Sequence, residues 1–283
     1  MRQLQAVIDG GMTGSLYALV ALAFSLVWAT MRTVNLAFLQ LIAFAAIIGW
    51  ASADFGAAPA IIFAVLATAG LTLVTHLVAV QPMLKKARMA PIVASIGAGL
   101  LLQGILSDIA GSQLRIMPNL FPTGVFEING IFIRKTGIAV VAVVLVFVAI
   151  TLVIFRYTMI GLAFRATSWA PELGSAYGVA TPLVQLGSVV AAGLAIGLSG
   201  VLTAVLVGSV SPFIGANAGL KGVIAMLVGG AGNMTGAVAG GLLIGILESV
   251  AELYVSSAMK TAVSFGLLLV VMIVRPSGLL KER

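Results

Sequence analysis

Residues 219–241 read "GLKGVIAMLVGGAGNMTGAVAGG", and the architecture turns on whether one helix or two cover them. Glycine weakens a helix interior by roughly 1 kcal/mol relative to alanine. The cluster Gly229-Gly230-Ala231-Gly232-Asn233 therefore reads as a break rather than the middle of a span. Splitting there gives a short half-span over 218–230 and a full span over 235–253. The split also sets parity, because each crossing carries the chain to the other face of a membrane.

That a membrane is involved follows from the rest of the chain. Only 8% of residues are charged and 61% are hydrophobic, where a soluble domain carries about 25% charge. Asp, Glu, Lys and Arg are missing from 10–31, 33–53, 55–84, 89–107, 136–155, 173–220 and 222–247. Runs of about 18 or more apolar residues cross a bilayer as helices. These runs lack the ten-residue alternation of an outer-membrane barrel, which is excluded. The run 10–31 is too long for a signal-peptide core and leads straight into another span, so no cleaved leader is expected. No cysteine is present, which excludes disulfides, thiolate catalysis and cysteine-bound metal. The lone histidine, His76, cannot form a metal cluster. At the inner end of a span it packs or faces the interface. The net charge of +7 is not arranged as a basic run with aromatics, so nucleic acid is not expected. It reads as a topology signal with attraction to anionic lipid.

Basic residues collect in cytoplasmic loops. Lys85, Lys86 and Arg88 mark one, with Arg156 and Arg165 in a second and Arg275, Lys281 and Arg283 at an inner C-terminus. Returning from 156–180 to that C-terminus takes an even number of crossings, and the glycine break supplies the fourth. Nine spans result, with the N-terminus outside: 10–31, 34–53, 57–80, 90–108, 137–155, 182–207, 218–230, 235–253 and 261–275. The expected fold is a single all-α domain over 1–283, a transmembrane bundle of about 8–10 spans with one half-span and a cytoplasmic coupling helix within 156–181. The outer loop 109–136 holds "VFEINGIFIRK", which alternates around Asn129-Gly130 and reads as a β-hairpin or a plain connector.

Glycine pairs at four-residue spacing, Gly10/Gly14, Gly193/Gly197, Gly236/Gly240 and Gly241/Gly245, read as sites of close helix packing. Polar residues within spans have two readings, interhelical hydrogen bonds or a water-lined substrate pathway. The candidates are Asn35, Gln40, Ser95, Gln103, Asn217 and Asn233. Asn217 and Asn233 flank the broken helix, where free backbone groups can meet a ligand. Asp108 reads as a boundary residue.

Three function classes compete. An ion-coupled secondary transporter or channel usually holds ionisable groups within the bilayer, yet every carboxylate here falls at a span end or loop. An intramembrane serine protease is raised by "GLSG" (197–200), but the only histidine precedes that serine and no general base is in prospect. A permease driven by a separate ATPase fits the absence of a G-x-x-x-x-G-K-[ST] phosphate loop. Work would then arrive through a protein contact. The stretch "GLAFRATSWAPELGSAYGVA" (161–180), with Pro171 suited to a first helical turn, reads as that contact or as an ordinary amphipathic loop.

The chain resembles the permease subunits of branched-chain (hydrophobic) amino acid ABC importers, the LivH-like family. Gly161, Ala163, Arg165, Ala166, Gly178 and Val179 match its cytoplasmic pattern. "GSLYALVALAFSLVWATMRTVNLAF" (14–38), "LVGGAGNMTGAVAGGLLIGILE" (227–248) and "RPSGLL" (275–280) match its first, penultimate and last segments. The resemblance implies a bacterial inner-membrane importer subunit without its own ATPase site. Its partners would be a homologous LivM-like permease, two cytoplasmic ATPases carrying ATP and Mg, and a periplasmic binding protein. Arg165, Ala166, Trp169, Glu172 and Gly178 would form the ATPase contact, and no cofactor would sit on this chain. Two departures stand out. "NLAFLQ" (35–40) lacks the family's histidine, glycine and acidic residue, which leaves the substrate open. Trp169 and Ala170 stand where the family carries acidic residues.

Overall fold

The computed structural model describes residues 2–87, 89–111, 113–128, 130–254, 260–275 and 278–280. Arg88, Asn129, Lys281, Glu282 and Arg283 lie outside the described residues, as do Pro276 and Ser277 of the closing motif. The helices are α1 (Arg2–Met31), α2 (Phe38–Ala51), α3 (Ala57–Thr75), α4 (Ala90–Ala110), α5 (Lys135–Tyr157), α6 (Met159–Trp169), α7 (Pro171–Ala176), α8 (Thr181–Val207), α9 (Ile214–Gly229), α10 (Met234–Tyr254) and α11 (Lys260–Val274). The chain is a helical membrane bundle. Among the described residues six helices are long and apolar enough to cross a membrane, and α2, α9 and α11 are shorter apolar helices. Helices α9 and α10 are separate, with Gly230 and Gly232 at positive φ between them.

The strands are β1 (Arg115–Ile116), β2 (Val125–Ile128), β3 (Ile131–Arg134) and β4 (Ser209–Val210). Strands β2 and β3 pair antiparallel, with Ile128 opposite Ile131. Strand β1 pairs with β4, which ties the loop after α4 to the link between α8 and α9. Because α5 runs from the hairpin to α6, these features mark opposite ends of the bundle. We call them the hairpin face and the elbow face.

Helix α2 begins four residues later than the span drawn from hydropathy. Thr33, Asn35 and Ala37 are buried before it starts, and the Asn35 side-chain oxygen accepts the Ala37 N–H at 3.1 Å. The chain thus enters the bundle without helical structure, and a side chain satisfies the backbone that lipid would leave unpaired. Hydropathy is blind to this, because the segment is apolar in either conformation. His76 takes the packed one of its two expected settings. It is buried at 2% exposure, in a π-helical turn that extends α3, rather than at an interface.

Glycines set the packing. Gly10 and Gly14 of α1 lie against the α10 backbone at Ile246 and Leu242, beside Gly245 and Gly241, so closely that a side chain at any of these glycines would meet backbone. Gly193 and Gly197 of α8 lie against α3 at Ala69 and Val65 in the same way. In lipid, where burying leucine against leucine gains little, such close approach drives helix association.

These two contacts are one contact made twice. Exchanging α1 with α8, α2 with α9, α3 with α10 and α4 with α11 maps the packing onto itself. The pair α1–α10 becomes α8–α3, α2–α8 becomes α9–α1, and α2–α4 becomes α9–α11. The register agrees: Gly219 lies on Leu39, and Gly215 lies on Ala43, which are the same contact after the exchange. Gln185 near the start of α8 donates to the Thr30 carbonyl at the end of α1, so the halves run in opposite directions. The bundle is an inverted repeat, with the short helices α2 and α9 meeting at its centre.

Candidate functional site

Tyr17 lies midway along α1, Lys221 two turns into α9 and Glu248 in the latter half of α10. The glycine contacts of α1 with α10 and of α9 with α1 draw the three together. Lys221 Nζ is 2.7 Å from Glu248 Oε2 and donates to the Tyr17 hydroxyl at 3.1 Å. Tyr17 in turn donates to Glu248 Oε2 at 3.2 Å, and the Ser264 hydroxyl of α11 donates to Glu248 Oε1. Lys221 is 8% exposed and Glu248 is 4% exposed. This is a buried ion pair, and it corrects the expectation that every carboxylate sits at a span end or in a loop. Both residues lie inside the spans drawn for them, where an ionised side chain costs roughly 2.5–3.5 kcal/mol on an insertion scale.

Three adjoining cavities lie here, and the pair lines the middle one. A mouth of ≈ 360 Å³ lies between the start of α1, the hairpin and the end of α10. It shares Asp9, Ser249 and Glu252 with a throat of ≈ 400 Å³ that reaches Tyr17, Lys221 and Glu248. The throat shares Thr13, Tyr17, Leu206 and Val207 with a chamber of ≈ 380 Å³ at the start of α9. Together they form a vestibule open toward the hairpin face.

The six polar residues singled out from sequence fall in three places. Asn217 lines the chamber. Asn35, Gln40 and Ser95 gather where α2 begins: the Leu36 N–H donates to Ser95 Oγ at 3.0 Å, and Gln40 lies against Gly99. Gln103 lies one turn beyond Gly99 on α4 and is half-buried. Asn233 sits near the elbow face, where its oxygen accepts the Gly236 N–H at the start of α10 and its amide donates to the Leu280 carbonyl. The residues that complete the vestibule, Tyr17, Lys221 and Glu248, were not among the six.

The elbow is a second built feature. Thr158 caps α6, accepting the Gly161 N–H at 3.3 Å, and Gly161 presses against the Phe155 backbone with no room for a side chain. Arg165 folds back over the corner, donating to the Phe155 carbonyl at 2.6 Å and the Arg156 carbonyl at 3.0 Å. Those are end carbonyls of α5, the negative pole of its dipole. The G-x-A-x-R motif thus fixes the angle between α5 and α6. Ala166 accepts the Ala170 N–H where α6 ends, Glu172 is in the first turn of α7, and Gly178 turns the chain at φ 84°. Trp169 at 71% and Tyr177 at 87% exposure project from the elbow. Arg32, at the end of α1, donates to the Ser168 carbonyl at 3.0 Å, so α1 joins the elbow to the vestibule.

Inverted halves, discontinuous short helices and a vestibule over a packed interior make this a solute-translocating membrane subunit. The family model for the branched-chain amino acid transport system permease component matches residues 7–272, and the chain belongs to that family. It is 31% identical over 298 residues, 98% of this chain and 95% of the other, to the high-affinity branched-chain amino acid transport system permease protein LivH of Escherichia coli K12. It is 30% identical over 294 residues, with the same two coverages, to the corresponding protein BraD of Pseudomonas aeruginosa. A probable LivH of Methanocaldococcus jannaschii is 28% identical over 80% of this chain and 75% of its own length. One solved structure, PsaBC from Streptococcus pneumoniae in complex with Fab, overlaps 95% of this chain and 91% of its own at 17% identity and TM-score 0.47.

Proposed function

We propose that this chain is one of two membrane subunits of an ATP-binding-cassette importer that carries branched-chain amino acids across a bacterial inner membrane. The reading is supported by full-length similarity to LivH and BraD and carried by the elbow. Its exposed aromatic crest stands on a corner held rigid by Gly161 and Arg165. A crest so braced transmits a push instead of absorbing it. The elbow face is then cytoplasmic, as is the C-terminus, and two ATPase subunits holding ATP and Mg press on the segment from Arg165 to Gly178. A homologous second permease completes the pathway. A periplasmic binding protein docks on the hairpin face and supplies most of the affinity. Closure of the ATPases moves α6 and, through Arg32, α1.

The test is reconstitution of the assembled complex with its binding protein in vesicles. Leucine-stimulated ATP hydrolysis should appear. Trp169→Glu should abolish it and release the ATPases during purification. Accumulation of leucine by this chain without any ATPase would overturn the reading. The buried carboxylate Glu248 is the one observation that favours an ion-coupled transporter. It is neutralised by Lys221 and hydrogen-bonded on both oxygens, however, and so is poorly placed to carry protons. Uptake abolished by a protonophore at constant ATP would reverse that judgement.

A further inference from the structure

We propose that the throat and chamber of the vestibule form a binding site for an α-amino acid, with its charged head on Lys221 and Glu248 and its side chain in the chamber. The inference rests on the importer reading above and names where in this subunit the substrate is held.

The first observation is the sign of the charges. The throat is lined by Arg134, Lys221 and Lys260 and by Asp9, Glu248 and Glu252. Three cations and three anions line it, Lys221 paired with Glu248 and Lys260 with Glu252 at 2.6 Å, so the lining as a whole suits a ligand carrying both charges and no net charge. An anion or cation alone would be drawn to one set and repelled by the other. The second is unused bonding capacity. A lysine ammonium has three N–H donors; among the described residues Lys221 uses one on Glu248 and one on Tyr17. A carboxylate offers about four acceptor sites; Glu248 accepts from Lys221, Tyr17 and Ser264. By this count one donor and one acceptor remain among the described residues. The carboxylate of an amino acid takes the first and its ammonium the second, with no existing bond broken. The third is the adjoining chamber. Leu16, Leu206, Phe213 and Ile214 supply an apolar wall on the far side of Tyr17, where a branched aliphatic side chain is desolvated.

The fourth observation removes the plainest alternative, that the pair only staples helices. The inverted repeat builds the same junction a second time. There Gly200 stands for Tyr17, Ala45 for Lys221 and Leu71 for Glu248, and Gly200 closes directly on Ile42 and Ala45. This helix geometry therefore packs without charge. A buried ion pair is often no more stabilising than an apolar replacement, and an intramembrane ionisable pair points to a ligand.

The experiment uses the assembled permease–ATPase complex in lipid nanodiscs, without the binding protein, and radiolabelled L-leucine as the probe. Leucine should bind. 3-Methylbutylamine, which lacks the carboxylate, and 4-methylpentanoate, which lacks the ammonium, should each compete at least roughly 100-fold more weakly, since each leaves one buried charge unanswered. Lys221→Met combined with Glu248→Gln should reduce leucine binding by at least about 10-fold. In the unmodified complex, which needs no variant to fold, a diazirine-bearing leucine analogue should label the peptides spanning 13–17 and 206–218. The site is overturned by absent leucine binding, by equal competition from either analogue, by unchanged affinity in the double variant, or by labelling confined to other helices. If any of these occurs while the full system still imports leucine at the expense of ATP, the vestibule site falls and the importer reading stands. If the full system neither hydrolyses ATP nor imports, both fall.

Discussion

The two halves of the inverted repeat share a packing plan and differ in what they place at its centre. Near the hairpin face the crossing of α1, α9 and α10 holds Tyr17, Lys221 and Glu248 around a cavity. The equivalent crossing of α8, α2 and α3 holds Gly200, Ala45 and Leu71, and a side chain on Gly200 would come 2.6 Å from Ala45 Cβ. One junction is polar and open; the other is apolar and shut. The difference lies in residue identity, which no conformational change alters: the same packing plan carries charge at one crossing and none at the other.

The comparison is tested hardest by breaking the ion pair. Glu248→Leu alone strands a buried lysine and should destabilise the subunit by about 3–5 kcal/mol, because removing one partner of a buried pair leaves the other uncompensated. Thermal unfolding in detergent measures it. Lys221→Met together with Glu248→Leu makes the polar junction resemble its apolar counterpart and should recover most of the loss. A single-variant cost below about 1 kcal/mol would mean that the pair is effectively solvated and the junctions are not so different.

Next in size is the glycine test, which sharpens the likeness instead. Gly14→Leu pushes into α10 backbone at Leu242, and Gly197→Leu pushes into α3 backbone at Val65. Overpacking of this kind costs roughly 1–3 kcal/mol. The two variants should lose similar stability if the halves are built alike. A loss confined to one would show that the repeat is only a resemblance of contacts.

How much of this was legible beforehand depends on the kind of signal. Charge-free runs and Gly229-Gly230 located the spans and the break between α9 and α10, because insertion and helix propensity act on local sequence. The glycine pairs named the packing faces without naming their partners. The vestibule is hidden in the sequence because Lys221 and Glu248 are 27 residues apart and each merely borders a charge-free run. The warning was available: both lie inside the drawn spans 218–230 and 235–253. The repeat left a trace at the packing glycines, where Gly10 and Gly14 match Gly193 and Gly197, but none at the junction, where Lys221 matches Ala45 and Glu248 matches Leu71. Arg165 was singled out from the resemblance as an ATPase contact. Its hydrogen bonds to α5 give it a positioning role that spacing alone does not reveal.

Arg165→Ala follows from that role. Loss of a cation at the end of α5 should cost at most about 1 kcal/mol, yet the freed corner should bend under load. Coupling should therefore suffer more than stability: leucine-stimulated ATP hydrolysis should fall severalfold while the melting temperature shifts little. Loss of both in proportion would make Arg165 a folding residue.

The smallest effect on stability and the finest test of the comparison lie at Asn217. Its counterpart in the other half is Leu41, which is fully buried, whereas Asn217 is exposed at the chamber wall. Asn217→Leu gives the open junction the residue of the shut one. Surface changes away from special features alter stability by no more than about 0.5 kcal/mol, so the melting temperature should hardly move. Transport should respond, because the chamber would lose its one side-chain amide among the described residues and would favour the closed packing that Leu41 illustrates. The expected result is slower leucine uptake at unchanged assembly and unchanged ATPase binding. Undiminished uptake would mean that the chamber's polarity is incidental and that the contrast between the halves rests on the ion pair alone.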